Sequence, residues 1–213
     1  MIDEKSCLQA IAQGSEVALE QLHTQYADRV YNTLISYTKN AEDAEELLQD
    51  VFVTIFNSAS NFQFNSSVGT WIYRIAVNKS LDFIRKKNSQ RRSGIFTSLY
   101  VKDSSEIKYE SVDFVHPGVN LENKEDAKLL FRIIDTLAEN QKTAFILTQI
   151  EGLPQNEVAE IMNQSRKAVE SLVQRAKANL KQRLEKHFPE RGKTKNKTSN
   201  EHETRKPWKG DHE

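Results

Sequence analysis

Hydrophobic residues recur at intervals of three and four along much of the chain, which predicts amphipathic helices. The clearest stripe lies in residues 41–57 and consists of Ala44, Leu47, Leu48, Val51, Phe52, Ile55 and Phe56. A second helix is expected from Thr70 to Lys87, because no Gly or Pro interrupts it and its apolar residues cover one broad half of the cylinder. The pattern predicts an all-α protein.

Capping residues mark the ends of several predicted helices. Ser15, Asn40 and Ser165 each precede an apolar stripe, and their side chains can accept hydrogen bonds from the first free backbone amides. Gly152 and Asn163 are expected to follow helices in a left-handed conformation. The predicted helices span residues 1–13, 15–37, 41–57, 70–87, 121–137, 140–150, 154–162 and 166–187.

Regular periodicity fails between Asn88 and roughly Asn123, where serines and a Pro-Gly pair punctuate the chain. A stretch of this length without a clear element is typical of an interdomain linker. The tail after Pro189 contains too few apolar residues to fold, so we expect it to be disordered. The predicted organisation is two small helical domains, 1–90 and 122–187, joined by a flexible linker, 91–121, and followed by a tail, 188–213.

Charge and composition limit the kinds of function that are compatible with the chain. The 30 basic and 30 acidic residues cancel, but acids cluster in 42–50 whereas 85–92 and 166–186 are basic, which suggests separate partners. Cys7 is the only cysteine and the five histidines are scattered, so we predict no disulfide, metal site, cofactor or catalytic residue. No apolar run approaches a membrane span, and we expect a cytoplasmic protein.

The helix predicted from Thr70 has an unusual polar side. Trp71 lies there in line with Arg74 and Asn78, and the preceding loop holds Phe62 and Phe64 beside polar residues. Aromatic rings can stack on unpaired bases, amides can pair with base edges, and cations can hold phosphates. A simple cover over the core would explain the same aromatic residues without nucleic acid.

A helix-turn-helix pattern ends the second domain. The short helix 154–162, the turn at Asn163 and the long helix 166–187 have the required order and lengths. A solvated surface would explain the last helix alone, but the preceding helix and turn favour DNA binding. Its outer face carries side chains suited to base edges and phosphates, namely Arg166, Lys167, Glu170, Ser171, Gln174, Arg175 and Lys177.

Two separate blocks of the chain resemble one known family. The run Trp-Ile-Tyr-Arg-Ile-Ala-Val-Asn-Lys-Ser-Leu-Asp-Phe-Ile-Arg, residues 71–85, closely resembles the promoter-melting helix of extracytoplasmic-function (ECF) sigma factors of bacteria. The segments 137–147, 151–153, 157–162 and 168–177 look like the sigma domain that binds the −35 element. Ala138 replaces a usual Pro and Pro154 a common Ser, both at helix starts. The resemblance covers residues 5–187.

The resemblance implies a transcription initiation factor that binds core RNA polymerase and directs it to promoter DNA. Residues 43–52 are similar to the segment that grips the clamp helices of the largest polymerase subunit, with Glu46, Gln49 and Asp50 as the implied contacts. Many relatives have Glu-Asp-Leu where this chain has Glu-Glu-Leu at 45–47, which keeps the charge. The flap of the second-largest subunit is a further implied contact, and many relatives also have an anti-sigma factor as a partner.

The resemblance also implies DNA contacts. In relatives, the loop before the Trp-containing helix captures a base flipped from the non-template strand of the −10 element, and Asn78 matches an asparagine of that helix. The implied −10 residues are Phe62, Phe64, Asn65, Ser66, Trp71, Arg74, Asn78, Arg85 and Lys86. The outer face of the last helix, from Arg166 to Lys177, would bind the −35 element.

Two other functions are compatible with a helical chain of this kind. A stand-alone helix-turn-helix regulator would bind duplex DNA without polymerase, but it leaves the polar face from Trp71 to Asn78 unexplained. A helical adaptor that binds only proteins leaves the outer face from Lys167 to Arg175 without a purpose.

Overall fold

A computed structural model describes residues 3–97 and 124–187 of the chain. Every regular element within these ranges is helical, as the apolar periodicity predicted. The α-helices are α1 (Glu4–Ala12), α2 (Glu16–Thr38), α3 (Ala41–Ser58), α4 (Val68–Thr97), α5 (Lys124–Ile134), α6 (Glu139–Phe145), α7 (Gln155–Ile161) and α8 (Arg166–His187). A 3₁₀ turn, Ala59–Asn61, follows α3, and a π-helical turn, Ile146–Ile150, follows α6.

The predicted capping residues mark the helix starts of the first domain. The Ser15 side chain accepts a hydrogen bond from the Ala18 amide over 3.3 Å, and Asn40 accepts one from the Asp43 amide over 2.8 Å. Lys39 adopts a left-handed backbone conformation with φ of 56°, which ends α2 immediately before the Asn40 cap. Side-chain oxygens thus satisfy amides that the helices leave free, which sets the starts of α2 and α3.

Helix α4 starts earlier and ends later than the sequence predicted. Ser67 accepts a hydrogen bond from the Thr70 amide over 3.0 Å, so the helix begins at Val68. It continues to Thr97, past the predicted domain end at residue 90. Residues 88–97 lack regular apolar periodicity but contain no proline, and periodicity reports burial rather than the ability to form a helix. The rest of the predicted linker, 98–121, and the tail, 188–213, lie outside the described residues.

The second domain has the predicted helix-turn-helix. Gly152, with φ of 69°, ends the π-helical turn that replaces the last part of the helix expected over 140–150. Pro154 occupies the position before α7 and not its first turn. Asn163 takes the expected left-handed conformation with φ of 51°, and Ser165 accepts a hydrogen bond from the Ala168 amide at the start of α8.

The hydrophobic core does not divide at the domain boundary. One cluster joins buried residues of α1–α4, such as Leu34 and Ile72, with Phe131 and Ile134 of α5. The other is built from α6–α8 and the turn after α6, and it includes Tyr73 and Val77 of α4. The broad apolar half of α4 therefore contributes to both clusters, and the two domains pack against each other along this helix.

Candidate nucleic-acid and polymerase interfaces

Three aromatic rings form a cluster at the start of α4. The Phe62 ring lies 4.8 Å from the Trp71 ring and 4.9 Å from the Phe64 ring, measured between centroids. Phe62 and Trp71 are half-buried and pack against the core, whereas 38% of Phe64 is exposed. The polar-side position predicted for Trp71 is therefore only partly exposed. Among these rings, Phe64 is the one that a base could reach without displacing core contacts.

The backbone of Phe64 is strained. Its φ is 55°, in the left-handed region that a bulky side chain rarely occupies. Such conformations persist only where surrounding contacts hold them, and they cluster at functional sites. The contacts here are the Phe62 ring and the Lys5 ammonium, whose nitrogen lies 5.3 Å from the Phe64 ring centroid. These contacts hold an aromatic ring outward in the loop that the sequence singled out.

The predicted DNA contacts on α4 fall into two groups. Asn78 and Lys86 are exposed. Arg74, which is half-buried, and Arg85, which is 60% exposed, have partners in the second domain. Arg74 donates from Nη2 to the Glu160 carbonyl oxygen over 2.7 Å. Arg85 donates from Nη2 to a Glu139 carboxylate oxygen over 2.6 Å, and this bond raises the pKa of Arg85.

An open groove separates the candidate −10 loop from the helix-turn-helix. Its volume is about 320 Å³. Asn65 and Ser66 line it from the loop and Arg74 from α4, while Asn163 and Gln164 line it from the turn between α7 and α8. The structure thus places two predicted loop residues and one predicted cation opposite the second domain, which the sequence did not anticipate.

The outer face of α8 is accessible along its whole predicted length. Its inner face buries Val169, Val173 and Ala176, which fixes the rotation of the helix. The Arg175 Nε donates to the Ser171 carbonyl over 3.2 Å, and this bond holds the guanidinium along the outer face. The exposed residues of that face are all seven predicted ones, Arg166, Lys167, Glu170, Ser171, Gln174, Arg175 and Lys177.

Helix α3 presents the candidate polymerase surface. Glu46, Gln49 and Asp50 are exposed, on the side opposite the buried stripe. The Asp50 carboxylate lies 3.7 Å from the Lys79 ammonium of α4. Val53, in the same row and 58% exposed, was missed by the sequence analysis. The sequence did contain a signal for Val53, because it is an apolar residue outside the stripe that was predicted to be buried.

Charged groups are enclosed where the domains meet. The carboxylate of Asp135 in the second domain contacts the ammonium groups of both Lys39 and Lys142. Burial and the neighbouring Lys142 lower the pKa of Lys39 to about 7, and burial lowers the pKa of Lys142 to about 8. The negative charge of Asp135 opposes these shifts. Because two ammonium groups share this one carboxylate, burial prevails and the pKa values of Lys39 and Lys142 are both lowered. Lys142 also lies 5.2 Å from the ring centroid of Tyr37 in the first domain.

A second enclosed acid faces α2. Burial raises the pKa of Glu151 to about 7, and Arg29 and Thr33 of the first domain offset part of that shift. Burial also raises the pKa of Tyr73 to about 12, again offset by Arg29. Glu151 follows the π-helical turn, so this turn positions a carboxylate of the second domain against a helix of the first. Electrostatics as well as apolar packing therefore link the domains.

Unpaired polar atoms concentrate at the same contact. Among the described residues, four buried side-chain atoms have no hydrogen-bond partner: Tyr37 Oη, Arg74 Nε, Thr143 Oγ1 and Glu151 Oε1. Thr143 lies close enough to Tyr37 to lower the pKa of that phenol slightly against the dominant effect of burial, yet the two hydroxyls are not aligned for a hydrogen bond. Buried polar groups without partners cost free energy, so these four atoms offset part of the stabilisation that apolar packing gives this contact.

The described parts of the chain contain neither a metal-binding cluster nor a membrane-spanning helix. Within 3–97 and 124–187, no three or more His, Cys, Asp or Glu side chains are grouped so that they could hold a metal ion. Over the same residues, no helix combines the length and apolar character needed to cross a membrane.

Two family models match the chain. Sigma-70 region 2 matches residues 22–90, which run from α2 into α4. Sigma-70 region 4 matches residues 127–180, which contain α6, α7 and most of α5 and α8. The two matches follow each other in the order expected from the sequence, and together they span more than half of the chain.

Curated relatives are similar over most of the chain. The ECF RNA polymerase sigma-E factor of Haemophilus influenzae is 25% identical, with 86% of this chain and 96% of the relative covered. The ECF RNA polymerase sigma factor SigE of Mycolicibacterium smegmatis is 29% identical over 84% of this chain and 67% of the relative. SigW of Bacillus subtilis, also an ECF sigma factor, is 25% identical over 84% and 96%.

Solved structures share the fold. CnrH in complex with the cytosolic domain of CnrY has a TM-score of 0.61 and 21% identity, and the match covers 86% of this chain and 97% of that one. The sigma factor RpoE of Bartonella quintana, in complex with the anti-sigma factor NepR, has a TM-score of 0.58 and 20% identity over 78% and 96%. With both sigma regions matched in order and ECF factors similar over most of its length, the chain belongs to the sigma-70 family, in its extracytoplasmic-function branch.

Proposed function

We propose that this chain binds core RNA polymerase and directs it to promoters by contacting the −35 duplex and the melted −10 strand. The observation that carries the proposal is the pairing of two distinct surfaces in one chain. One is the exposed outer face of α8, the second helix of the helix-turn-helix, and the other is the aromatic loop before α4. A stand-alone regulator needs only the first surface, so it is not favoured. The family consists of initiation factors, and we assign no catalytic step to this chain.

The −10 contact uses the cluster of aromatic rings. A base flipped out of the duplex loses stacking, and the protein must return that free energy by stacking and edge hydrogen bonds. Phe64 supplies the exposed ring, and Phe62 and Trp71 support it from below. Asn65, Ser66 and Asn78 would supply donors and acceptors, while Arg74, Arg85 and Lys86 would hold the adjacent phosphates.

The −35 contact uses the outer face of α8. Arg175 can pair with guanine and Gln174 with adenine, and Glu170 can accept a hydrogen bond from cytosine. Arg166, Lys167 and Lys177 would meet phosphates, and Ser171 can contact either a base or the backbone. All of these side chains are exposed, so no rearrangement of the second domain is needed for duplex binding.

The polymerase contact uses the exposed row of α3. Glu46 and Asp50 supply charge, Gln49 supplies an amide, and Val53 adds an apolar centre. Interfaces of this kind commonly surround apolar contacts with polar residues. The clamp helices of the largest subunit are the proposed target for α3, and the flap of the second-largest subunit is the proposed target for the second domain. An anti-sigma factor is a further proposed partner.

The test is transcription from genomic DNA of the source organism by purified core polymerase, with the transcripts sequenced. The chain should produce discrete new 5′ ends whose upstream DNA shares −35 and −10 motifs. Core enzyme without the chain is the first control. Core enzyme with a chain from which residues 122–187 are deleted is the second. If the chain binds duplex DNA but creates no new start sites, it is a stand-alone regulator instead.

A further inference from the structure

Helix α1 contributes a cation to the aromatic loop from outside the matched sigma regions. Sigma-70 region 2 matches from residue 22, so α1 precedes it. The ammonium nitrogen of Lys5, in the first turn of α1, lies over the Phe64 ring at 5.3 Å from its centroid. The sequence analysis assigned no residue of α1 to the −10 site, yet Lys5 lies beside the ring that a base can reach.

Helix α1 is fixed against both ends of the aromatic loop. Leu8 and Ile11 of α1 are almost completely buried, in the same cluster as Val68 and Ile72 of α4. Helix α1 also packs against the 3₁₀ turn Ala59–Asn61, which leads into the loop. The turn before the loop and the helix after it therefore both rest on the element that carries Lys5.

The residue before Lys5 is bonded towards the start of α4. The Glu4 carboxylate accepts hydrogen bonds from the Tyr26 hydroxyl over 2.5 Å and from the Gln25 amide over 2.8 Å. The same hydroxyl lies so close to the first turn of α4 that a β-carbon at Gly69 would be 3.1 Å from it. These contacts limit the movement of the first turn of α1 relative to α4, and they fix the point from which the Lys5 side chain extends.

The ammonium group favours one conformation of the loop. The face of an aromatic ring carries negative potential and attracts a cation. Phe64 has a φ of 55°, so its backbone is strained, and relaxation of that strain would move the ring. A ring that is already held in place before DNA binds has less conformational freedom to lose, which strengthens binding.

We infer that Lys5 is a positioning residue for strand capture: its ammonium group holds the Phe64 ring in the outward loop conformation on which a flipped −10 base stacks. Lys5 acts through Phe64 and not on the DNA. Helix α1 is thus part of the −10 site. The role in strand capture rests on the proposed function, whereas the contact between Lys5 and Phe64 does not.

The contact is tested first in the free chain. Reductive methylation with ¹³C-formaldehyde places NMR-visible methyl groups on the lysines and keeps their charge. The Lys5 signal, identified by its absence in Lys5→Arg, should be displaced upfield by the ring current of Phe64. Phe64→Leu should return it to the position of Lys181, whose side chain is 77% exposed. A Lys5 signal that does not move in Phe64→Leu would overturn the inference.

Strand capture is tested with the polymerase complex. The probe is a fork-junction DNA with a single-stranded −10 segment, taken from a start site found by the genomic transcription test, and anisotropy gives its affinity. Lys5→Met removes the charge but keeps an unbranched side chain, and it should weaken binding about two- to fivefold, the range of an exposed cation–π contact. Lys5→Arg should restore binding. Lys181→Met, which removes one charge from an exposed site of α8, is the control and should bind as wild type does.

A double-mutant cycle separates positioning from a direct DNA contact. In the Phe64→Leu chain, Lys5→Met should cause no further loss, because its effect depends on the ring. The salt dependence of binding should also be the same in wild type and Lys5→Met, since no phosphate contact is lost.

Additive losses in the cycle, or a lower salt dependence in Lys5→Met, would show that Lys5 contacts a phosphate itself and would overturn the positioning role. Unchanged affinity in Lys5→Met would overturn it as well. Either result, with new start sites present, leaves the proposed function intact. A chain that creates no start sites would contradict the proposed function and the strand-capture role together, while the NMR result on the free chain would stand.

Discussion

Arg74 reaches from α4 to the Glu160 carbonyl oxygen of α7 over 2.7 Å, while its own Nε has no partner. One side chain thus links the helix proposed to bind the −10 strand with the first helix of the helix-turn-helix. A guanidinium with an unpaired buried N–H gains from any partner that can use its whole fork, and a phosphate can do so. The contact with Glu160 therefore leaves part of the hydrogen-bonding capacity of Arg74 unused.

The first prediction concerns the polymerase surface. Asp50→Lys should weaken binding to core polymerase by a few kcal/mol at most, because it reverses a charge on an exposed interface row without touching the core. Binding is measured by fluorescence anisotropy with labelled chain. Glu20→Lys, an equal charge change at an exposed site of α2, is the control and should bind as wild type does. Equal affinity of the Asp50 and control variants would remove Asp50 from the interface.

The second prediction concerns the outer face of α8. Arg175→Ala and Gln174→Ala should each relax base preference at discrete −35 positions by about 1–3 kcal/mol, since direct base contacts carry that much discrimination. Lys177→Ala should weaken binding to all sequences and lower the salt dependence, as expected for a phosphate contact. Transcription from promoter libraries randomised at −35 measures both effects. Unchanged preference in the first two variants would show that other residues select the bases.

The third prediction concerns strand opening. Asn78→Ala and Phe64→Ala should leave core binding intact and reduce permanganate reactivity of −10 thymines, because both side chains are exposed. Phe62→Ala should also impair opening, but it should lower the melting temperature as well, since its ring packs on Trp71 and the core. Normal opening in the Asn78 and Phe64 variants would mean that the loop serves only to cover the core.

The fourth prediction concerns the attachment of α1. The Tyr26 hydroxyl donates to the Glu4 carboxylate over 2.5 Å, and burial with this bond raises the pKa of Tyr26 far above its ordinary value. Tyr26→Phe should lower the free energy of unfolding by about 1.5–3 kcal/mol, the usual worth of a hydrogen bond to a charged group. Tyr31→Phe, on the same helix, is the control and should change it less. Urea denaturation of both variants decides the matter, and equal losses would contradict a role for Glu4.

The fifth prediction concerns Glu151. Its pKa is raised to about 7 in the folded chain, so the carboxyl favours folding below its ordinary pKa and loses that contribution as pH rises through 7. Glu151→Gln should therefore melt at a higher temperature than wild type at pH 8 and at nearly the same temperature at pH 5. Lys39 and Lys142 titrate in both proteins, so their effects cancel in the comparison. A difference that does not grow with pH would contradict the burial of a charged carboxylate.

Most of the helical framework could be predicted from the sequence, because caps and apolar periodicity act over a few residues. Ser15, Asn40 and Ser165 cap the helices they were expected to cap, and Asn163 makes the expected turn. The end of α4 could not be predicted in this way. The apolar periodicity gives no signal past residue 87, yet the helix runs on to Thr97.

The candidate DNA residues of α8 were also predictable, since one buried stripe determines the opposite face. The loop residues were recognised by type, but the half-burial of Phe62 and the left-handed backbone of Phe64 depend on what packs beneath them. Periodicity cannot reveal these features, because the loop has none.

The sequence by itself determined the elements, their order, the family and the outer face of the last helix, all of which depend on local chemistry and residue pattern. Only the tertiary structure decided which partner buries each apolar face. Tyr73 and Val77 belong to α4 of the first domain but join the core of the second. The same packing encloses Lys39 and Glu151 and places Glu139 on Arg85. An apolar stripe specifies that a face is buried and does not encode its partner, which is selected by contacts between residues far apart in the chain.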